Sequence, residues 1–364
     1  MVSARRLLGA LAVMLGVSAV GATGACNAVL AIPDATLAQH VIRCTDGACV
    51  CEAGFDDCDG KRGDDCATDL GNDRHHCGAC GHDCPGGDCK VGLCQPVVLA
   101  TIPGARGLSL HGGSLLVGTC GRAGGDAFLE VPVSGGKPVT AVAFSHCGAA
   151  QVVLDDTLYW SDTSTLLTTQ LTPQGAPSVL ASTSAWKIVA TKSHVYWGKL
   201  NPKGRAIGIM RLPLGGAPDS VYDQEVFALA AGAGAVYWAA SDGVHGMADS
   251  ALLDLPLSML PARELATDAT SLYIGTQSGI HALRLVDGKV SLLVPGANGA
   301  RLTTDPTTLF WLDDAAGTVS RVPLAGGDPT LLAKGVSFTG TSVIAVDETF
   351  VYWLAGTVVA RVPR

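Results

Sequence analysis

Asp305-Pro306-Thr307-Thr308-Leu309-Phe310-Trp311, followed by Arg321-Val322-Pro323-Leu324-Ala325-Gly326-Gly327 and then Pro329-Thr330-Leu331-Leu332-Ala333, is the stretch that decides the fold. Asp305 and Thr307 make a tight turn through local side-chain hydrogen bonds, and the strand after the turn closes on an aromatic pair. The Gly pair turns the chain again, and a short apolar strand ends the unit. The pattern returns at intervals of about forty residues. Its aromatic pair recurs as Tyr159-Trp160, Tyr196-Trp197, Tyr237-Trp238, Phe310-Trp311 and Tyr352-Trp353, with weaker versions at Tyr273-Ile274 and Leu116-Val117.

That makes seven units, falling to six if the weak first one does not form. Asp268, Asp305 and Asp347 each stand five residues before the aromatic. Repetition at one hairpin position makes them structural rather than catalytic. The Gly hairpin recurs at Gly135-Gly136 and Gly215-Gly216, and a short apolar strand again at residues 177–181. Four strands and three turns per unit describe one propeller blade, and helical periodicity is nowhere sustained. The expected fold class is therefore all-β, a β-propeller over residues 96–364 preceded by a small disulfide-rich module at 44–95. The last unit stops after its third strand, and residues 96–101 match the missing fourth. The N-terminal segment is expected to complete the C-terminal blade and close the ring, leaving no exposed sheet edge.

Tyr159-Trp160-Ser161-Asp162 resembles the YWTD signature of receptor propellers. The stretch 96–364 resembles bacterial propellers that carry a YW pair followed by an R-V-P-L-x-G-G element. YWTD rings have six blades, so the count of seven departs from that pattern.

Residues 1–25 join a basic start, Arg5 and Arg6, to an apolar run and small residues, the layout of a secretory signal peptide. The run is short and Gly-broken, with no stop-transfer charges, which disfavours a membrane span. Gly24-Ala25-Cys26 resembles the end of a bacterial lipobox, with Thr23 where that motif carries an aliphatic residue. The chain has thirteen cysteines, an odd number, and removing Cys26 leaves twelve. Acylation of Cys26, a tether over 26–43 and a place on the cell envelope are the expectation; simple secretion is the alternative.

Cys44, Cys49, Cys51, Cys58, Cys66, Cys77, Cys80, Cys84, Cys89 and Cys94 fall in a stretch with almost no aliphatic side chains, so disulfides must hold it. The run Gly54-Phe55-Asp56-Asp57-Cys58 and Cys77-Gly78-Ala79-Cys80-Gly81-His82-Asp83-Cys84 resembles modules of secreted and lipid-anchored bacterial proteins. Zinc or redox readings of Cys77-x-x-Cys80 with His75, His76 and His82 need reduced thiols, which export disfavours. Asp57, Asp59, Asp64 and Asp65 offer oxygen ligands for calcium, without the Glu that closes an EF-hand loop. No other cofactor is expected. Cys120 and Cys147 remain; both should emerge on one face in neighbouring loops, and a disulfide between them is expected.

The formal charge is −8, with acids in excess in both parts, so nucleic acid is an unlikely partner. Nucleophile elbows, phosphate-binding loops and metalloprotease motifs are absent, and Ser184-Ala185-Trp186-Lys187 matches S-x-x-K without its partner motifs. The primary functional reading is a non-catalytic envelope-anchored propeller that binds a protein or small ligand. The alternative is a propeller hydrolase or lyase with a metal held by His, Glu or Asp at the central channel. The inner strands, 108–110, 152–154, 188–190 and 344–346, read apolar, which favours binding. A ligand face is expected at the second-to-third-strand loops and blade-to-blade links, with His146, Trp186, Lys199, Arg205, His245, Asp313 and Asp314 as candidates.

Overall fold

In the computed structural model, residues 40–364 are described, apart from 46–47, 60–65, 122–124, 145–146, 148–149, 233, 249–250, 253–257, 259, 298–300 and 339–340. The expected signal peptide, Cys26, most of the expected tether and His146 lie outside the described residues, as do Asp64 and Asp65 of the calcium reading.

Seven four-stranded antiparallel sheets form a β-propeller, with no helix among the described residues. The innermost strands of blades 1 to 7 are Ala105–His111, Ala150–Leu154, Ala185–Ala190, Val226–Gly232, Glu264–Thr267, Arg301–Thr304 and Ser342–Val346. Each packs against its neighbours around the axis, and blade 7 meets blade 1. Leu116-Val117 lies in the second strand of blade 1, Ser114–Thr119, so the weak first unit is a full blade.

The aromatic pairs occupy the second strands. Trp160, Trp197, Trp238 and Trp353 are almost wholly buried, as are Tyr196, Tyr273, Tyr352 and Phe310. The two members of a pair point to opposite faces of their sheet, so one pair serves two inter-blade cores. Tyr352, for example, packs with Leu115 and Val117 of blade 1, whereas Trp353 packs with Phe310 and Leu332 of blade 6.

The repeated Asp closes the turn before the pairs of blades 5, 6 and 7. Asp347 Oδ1 accepts from the amides of Thr349 and Phe350, both at 2.7 Å, and Tyr352 donates its hydroxyl to Oδ2 at 2.6 Å. Asp268 does the same with Thr270, Ser271 and Tyr273. Blade 6 has Phe310 in place of Tyr, and there Arg364 forms an ion pair with Asp305. For Asp268, burial works against the charged form, but the amide and hydroxyl donors outweigh it and hold the carboxyl below its ordinary range. A depressed folded-state value adds stability above the unfolded value, about 3.9, and loses it as pH falls through the folded one. Asp268→Asn should therefore flatten the acid side of the stability profile below about pH 4. Thermal melts of parent and variant between about pH 2.5 and 6 test this; parallel acid limbs would refute it.

Val97–Thr101 is the outer strand of blade 7, antiparallel to Val358–Pro363, with Val359 opposite Ala100 and Val358 opposite Thr101. Blade 7 is thus assembled from both ends of the propeller stretch. The cysteine-rich stretch carries Cys51–Cys66, Cys58–Cys80, Cys77–Cys89 and Cys84–Cys94 disulfides. Cys44 and Cys49 are register partners across the hairpin Val41–Thr45/Ala48–Cys51. The module rests on the last two blades: Cys77, Cys84, Cys89 and Cys94 share a core cluster with Phe310, Leu332 and Val362. Arg361, 8% exposed, donates to the carbonyls of Val133 in blade 1 and Pro85 in the module, and its guanidinium lies 4.0 Å from the Phe350 ring centroid.

A further disulfide joins Cys120 to Cys147, between the end of the second strand of blade 1 and the link into blade 2. Its partners are 27 residues apart. The Cys120→Ser/Cys147→Ser variant should lose about 2–4 kcal/mol, from the loop-closure entropy regained by the unfolded chain. Urea unfolding of the oxidised parent and the double variant measures it; equal midpoints would contradict the assignment.

Candidate functional site at the mouth of the channel

A cavity of about 460 Å³ opens where the chain enters the innermost strands. It is lined by the first residues of those strands. Arg106 and Gly107 come from blade 1, Ala150 and Gln151 from blade 2, Trp186 and Lys187 from blade 3, and Phe227 from blade 4. Arg263 and Glu264 come from blade 5, Arg301 and Leu302 from blade 6, and Thr341 to Val343 from blade 7.

Three of these strands carry a register shift at this point: between Ala105 and Gly107, between Ala185 and Ile188, and between Val226 and Ala228. A bulge of this kind adds one residue at the strand end and re-aims a side chain. The residues within the shifts are Arg106, Trp186-Lys187 and Phe227. Space is reserved for them and their neighbours by glycines. A Cβ on Gly198 would stand 1.8 Å from Trp186 Nε1, and one on Gly107 2.4 Å from Gln151 Oε1. Gln151 uses that space to donate to Ser109 Oγ at 3.1 Å and to the Leu116 carbonyl at 3.0 Å.

The electrostatics are opposite in sign to the protein's net charge. Among the described residues, four cationic side chains, Arg106, Lys187, Arg263 and Arg301, share the cavity with a single carboxylate, Glu264. Glu264 has its side chain 9% exposed, and each of its oxygens is taken: Oε1 accepts from Lys187, and Oε2 lies 3.5 Å from Arg301 Nη1. Arg301 also donates from Nε to the Ser342 carbonyl at 2.8 Å. Behind Ser342, burial pushes the Asp314 carboxyl up, with the Arg301 guanidinium opposing.

The expectation of apolar inner strands fits 108–110, 152–154, 188–190 and 344–346, but it is corrected at the mouth ends of blades 1, 3, 4, 5 and 6, where Arg106, Trp186-Lys187, Phe227, Glu264 and Arg301 stand. Trp186, expected in a link, lies in the innermost strand of blade 3 and lines the cavity. His245, expected in a loop, lies in the third strand of blade 4, Gly243–Ala248. Its ring stacks on Trp238 at 5.7 Å and bonds Asp242 at 2.8 Å, which also accepts from Tyr222. Burial, with the Asp242 carboxylate adding to it, pushes the Tyr222 phenol up to about 12. Lys199, Arg205, Asp313 and Asp314 lie on the same face as the mouth, outside the cavity lining. Asp313 closes its own turn by accepting from the amides of Ala315 and Ala316.

No protein-family profile matches the sequence, and curated proteins give no significant sequence match. Solved structures do. Virginiamycin B lyase from Staphylococcus aureus superposes with a TM-score of 0.57 at 9% identity, over 74% of this chain and 98% of the other. By fold, the chain is similar to that lyase. A streptogramin B lyase gives a TM-score of 0.56 at 10% identity, covering 74% of this chain and 96% of that one. AztD from Citrobacter koseri gives 0.51 at 13%, covering 70% and 82%. At these identities the likeness is one of fold alone.

The cavity's donor set does not fit a metal centre. Among the described residues no imidazole lines it, the one carboxylate is engaged twice, and four cations would repel a divalent ion. In the module, the clustered thiols are bonded to one another: Cys80 pairs with Cys58 and Cys77 with Cys89, so Cys77-x-x-Cys80 is not a dithiol. The disulfides, five among the described residues, mark a chain that folds in an oxidising compartment.

Proposed function

We propose that this protein is a non-catalytic binding propeller of the cell envelope, and that it takes its ligand at the mouth of the channel. The observation that carries this reading is the set of bulges that turns Arg106, Lys187, Trp186 and Phe227 toward one cavity at the point where the repeat breaks down. General acid-base work needs a titratable group with a free proton site, and Lys187 and Glu264 of the described lining are held by each other. Glu264 is held between two cations, so recognition is what the lining supports.

The test uses the mature chain incubated with a pooled mixture of small metabolites, separated by gel filtration and read by mass spectrometry. Retained compounds should be recovered chemically unchanged and should be lost in Thr341→Trp, which fills the mouth. Retention of nothing, or recovery of a product, overturns the reading.

The envelope location rests on the Cys26 pattern and cysteine parity. A mature chain that starts at Cys26 and carries a diacylglyceryl group is expected by intact mass, and an unmodified chain starting elsewhere would refute the anchor.

A further inference from the structure

The chemistry of the mouth points further than a binding site. Resting on the reading above, we infer that the ligand is a compact anion with two or more negatively charged groups on a planar apolar frame. Glu264 satisfies Lys187 and Arg301, but among the described residues no ion pair involves Arg106 or Arg263. The described residues of the cavity therefore carry three more positive charges than negative ones, in a chain whose net charge is −8.

Those cations stand on blades 1, 3, 5 and 6. A single charged group can reach one part of such a ring, whereas several groups spread on one frame can meet guanidinium and ammonium donors from different sides. The planar requirement comes from blades 3 and 4. Trp186 and Phe227 occupy corresponding bulges of adjacent strands, and Phe227 is 47% exposed. An exposed ring at the rim of a cationic cavity is a surface to cover, and flat apolar ligands gain from covering it. The same four cations explain why a neutral or cationic ligand is disfavoured: it would leave their repulsion in place.

Isothermal titration of the full mature chain tests this with five probes. Benzene-1,3,5-tricarboxylate and citrate share their charge but differ in the ring; ADP and pyrophosphate repeat that contrast with phosphate; benzene-1,3,5-trimethanol is the neutral control. The aromatic tricarboxylate or ADP should bind at least about tenfold tighter than citrate, pyrophosphate or the triol. It should weaken about fivefold or more between about 50 mM and 300 mM salt. Whichever of the two is tighter identifies carboxylate or phosphate as the anionic group.

Arg106→Ala/Arg263→Ala should lower the affinity of the tighter probe about tenfold or more, and Phe227→Ala should remove its advantage over the ring-free anion. All three side chains are exposed, so both variants should melt close to the parent, which separates lost binding from lost folding. Binding of the triol as tight as that of the anions, or anion binding indifferent to the arginine pair, overturns the inference. Phe227-dependent triol binding in that case leaves the channel-mouth reading intact. Failure of all five probes overturns the inference too, and retention in the metabolite experiment then decides the broader reading separately.

Discussion

Deleting residues 96–101 should abolish the single cooperative unfolding transition of the propeller. Blade 7 would lose its fourth strand, and the edge of Val358–Pro363 would stand open for pairing with other chains. Soluble aggregates should appear alongside a broadened melt. Because the deletion also shortens the connection to the disulfide module, a point substitution isolates the cause. Ala100 is buried with Leu99, Ile102, Val131 and Val359, and Ala100→Asp places an unpaired carboxylate among them. The expected cost is about 4 kcal/mol or more. For a domain of this size that is a fall of roughly 8 °C or more in Tm. Val98, on the same strand but 59% exposed, is the control, and Val98→Asp should change stability by less than about 1 kcal/mol. Differential scanning calorimetry of the three variants decides the matter. A deletion variant that melts like its parent would show that the ring does not depend on this strand.

Glu264→Gln should be the most damaging single change at the mouth. The substitution keeps shape and removes charge, leaving Lys187 and Arg301 without their shared partner while Arg106 and Arg263 stand in the same cavity. Breaking a buried pair by removing one member costs about 3–5 kcal/mol, and partial exposure of Lys187 and Arg301 sets the expectation near the lower end. The loss should shrink as salt is raised, because the uncovered repulsion between cations is screened. Lys187→Met/Glu264→Met, which removes both charges, should be milder than Glu264→Gln alone. Urea unfolding at about 20 mM and about 300 mM salt measures these differences. A small, salt-independent loss would mean that the carboxylate does not hold the ring of cations together.

The parts of this protein that were legible in its sequence are those in which one physical demand recurs. Every blade must fill the same gap between twisted sheets, so Tyr159-Trp160, Tyr196-Trp197 and Tyr352-Trp353 repeat in type and spacing. Asp268 and Asp347 repeat because the same turn must be tied each time. The mouth residues carry no such regularity. When the repeats are aligned on the second strand, Lys187, Glu264 and Arg301 fall where other blades have Gly107, Ala150, Ala228 or Val343. Reading back from the residue after each aromatic pair to its register partner on the preceding strand would have found Glu264, opposite Gly275, and Arg301, opposite Leu312. Arg106 and Phe227 would still have been missed, because a bulge inserts them between register partners.

The all-β class, a propeller of seven or six blades and the cysteine-rich region ahead of it follow from the sequence alone, because hydrophobic period, turn chemistry and cysteine spacing act over a few residues at a time; the count of seven came with the full first blade of the structure. The cavity at the channel mouth was decided only by tertiary structure. Ring closure brings residues from Arg106 to Ser342 to one mouth, and a bulge of one residue selects which side chain is turned into it. Charge at that mouth depends on which residues of different blades meet, and no local rule along the chain encodes that meeting.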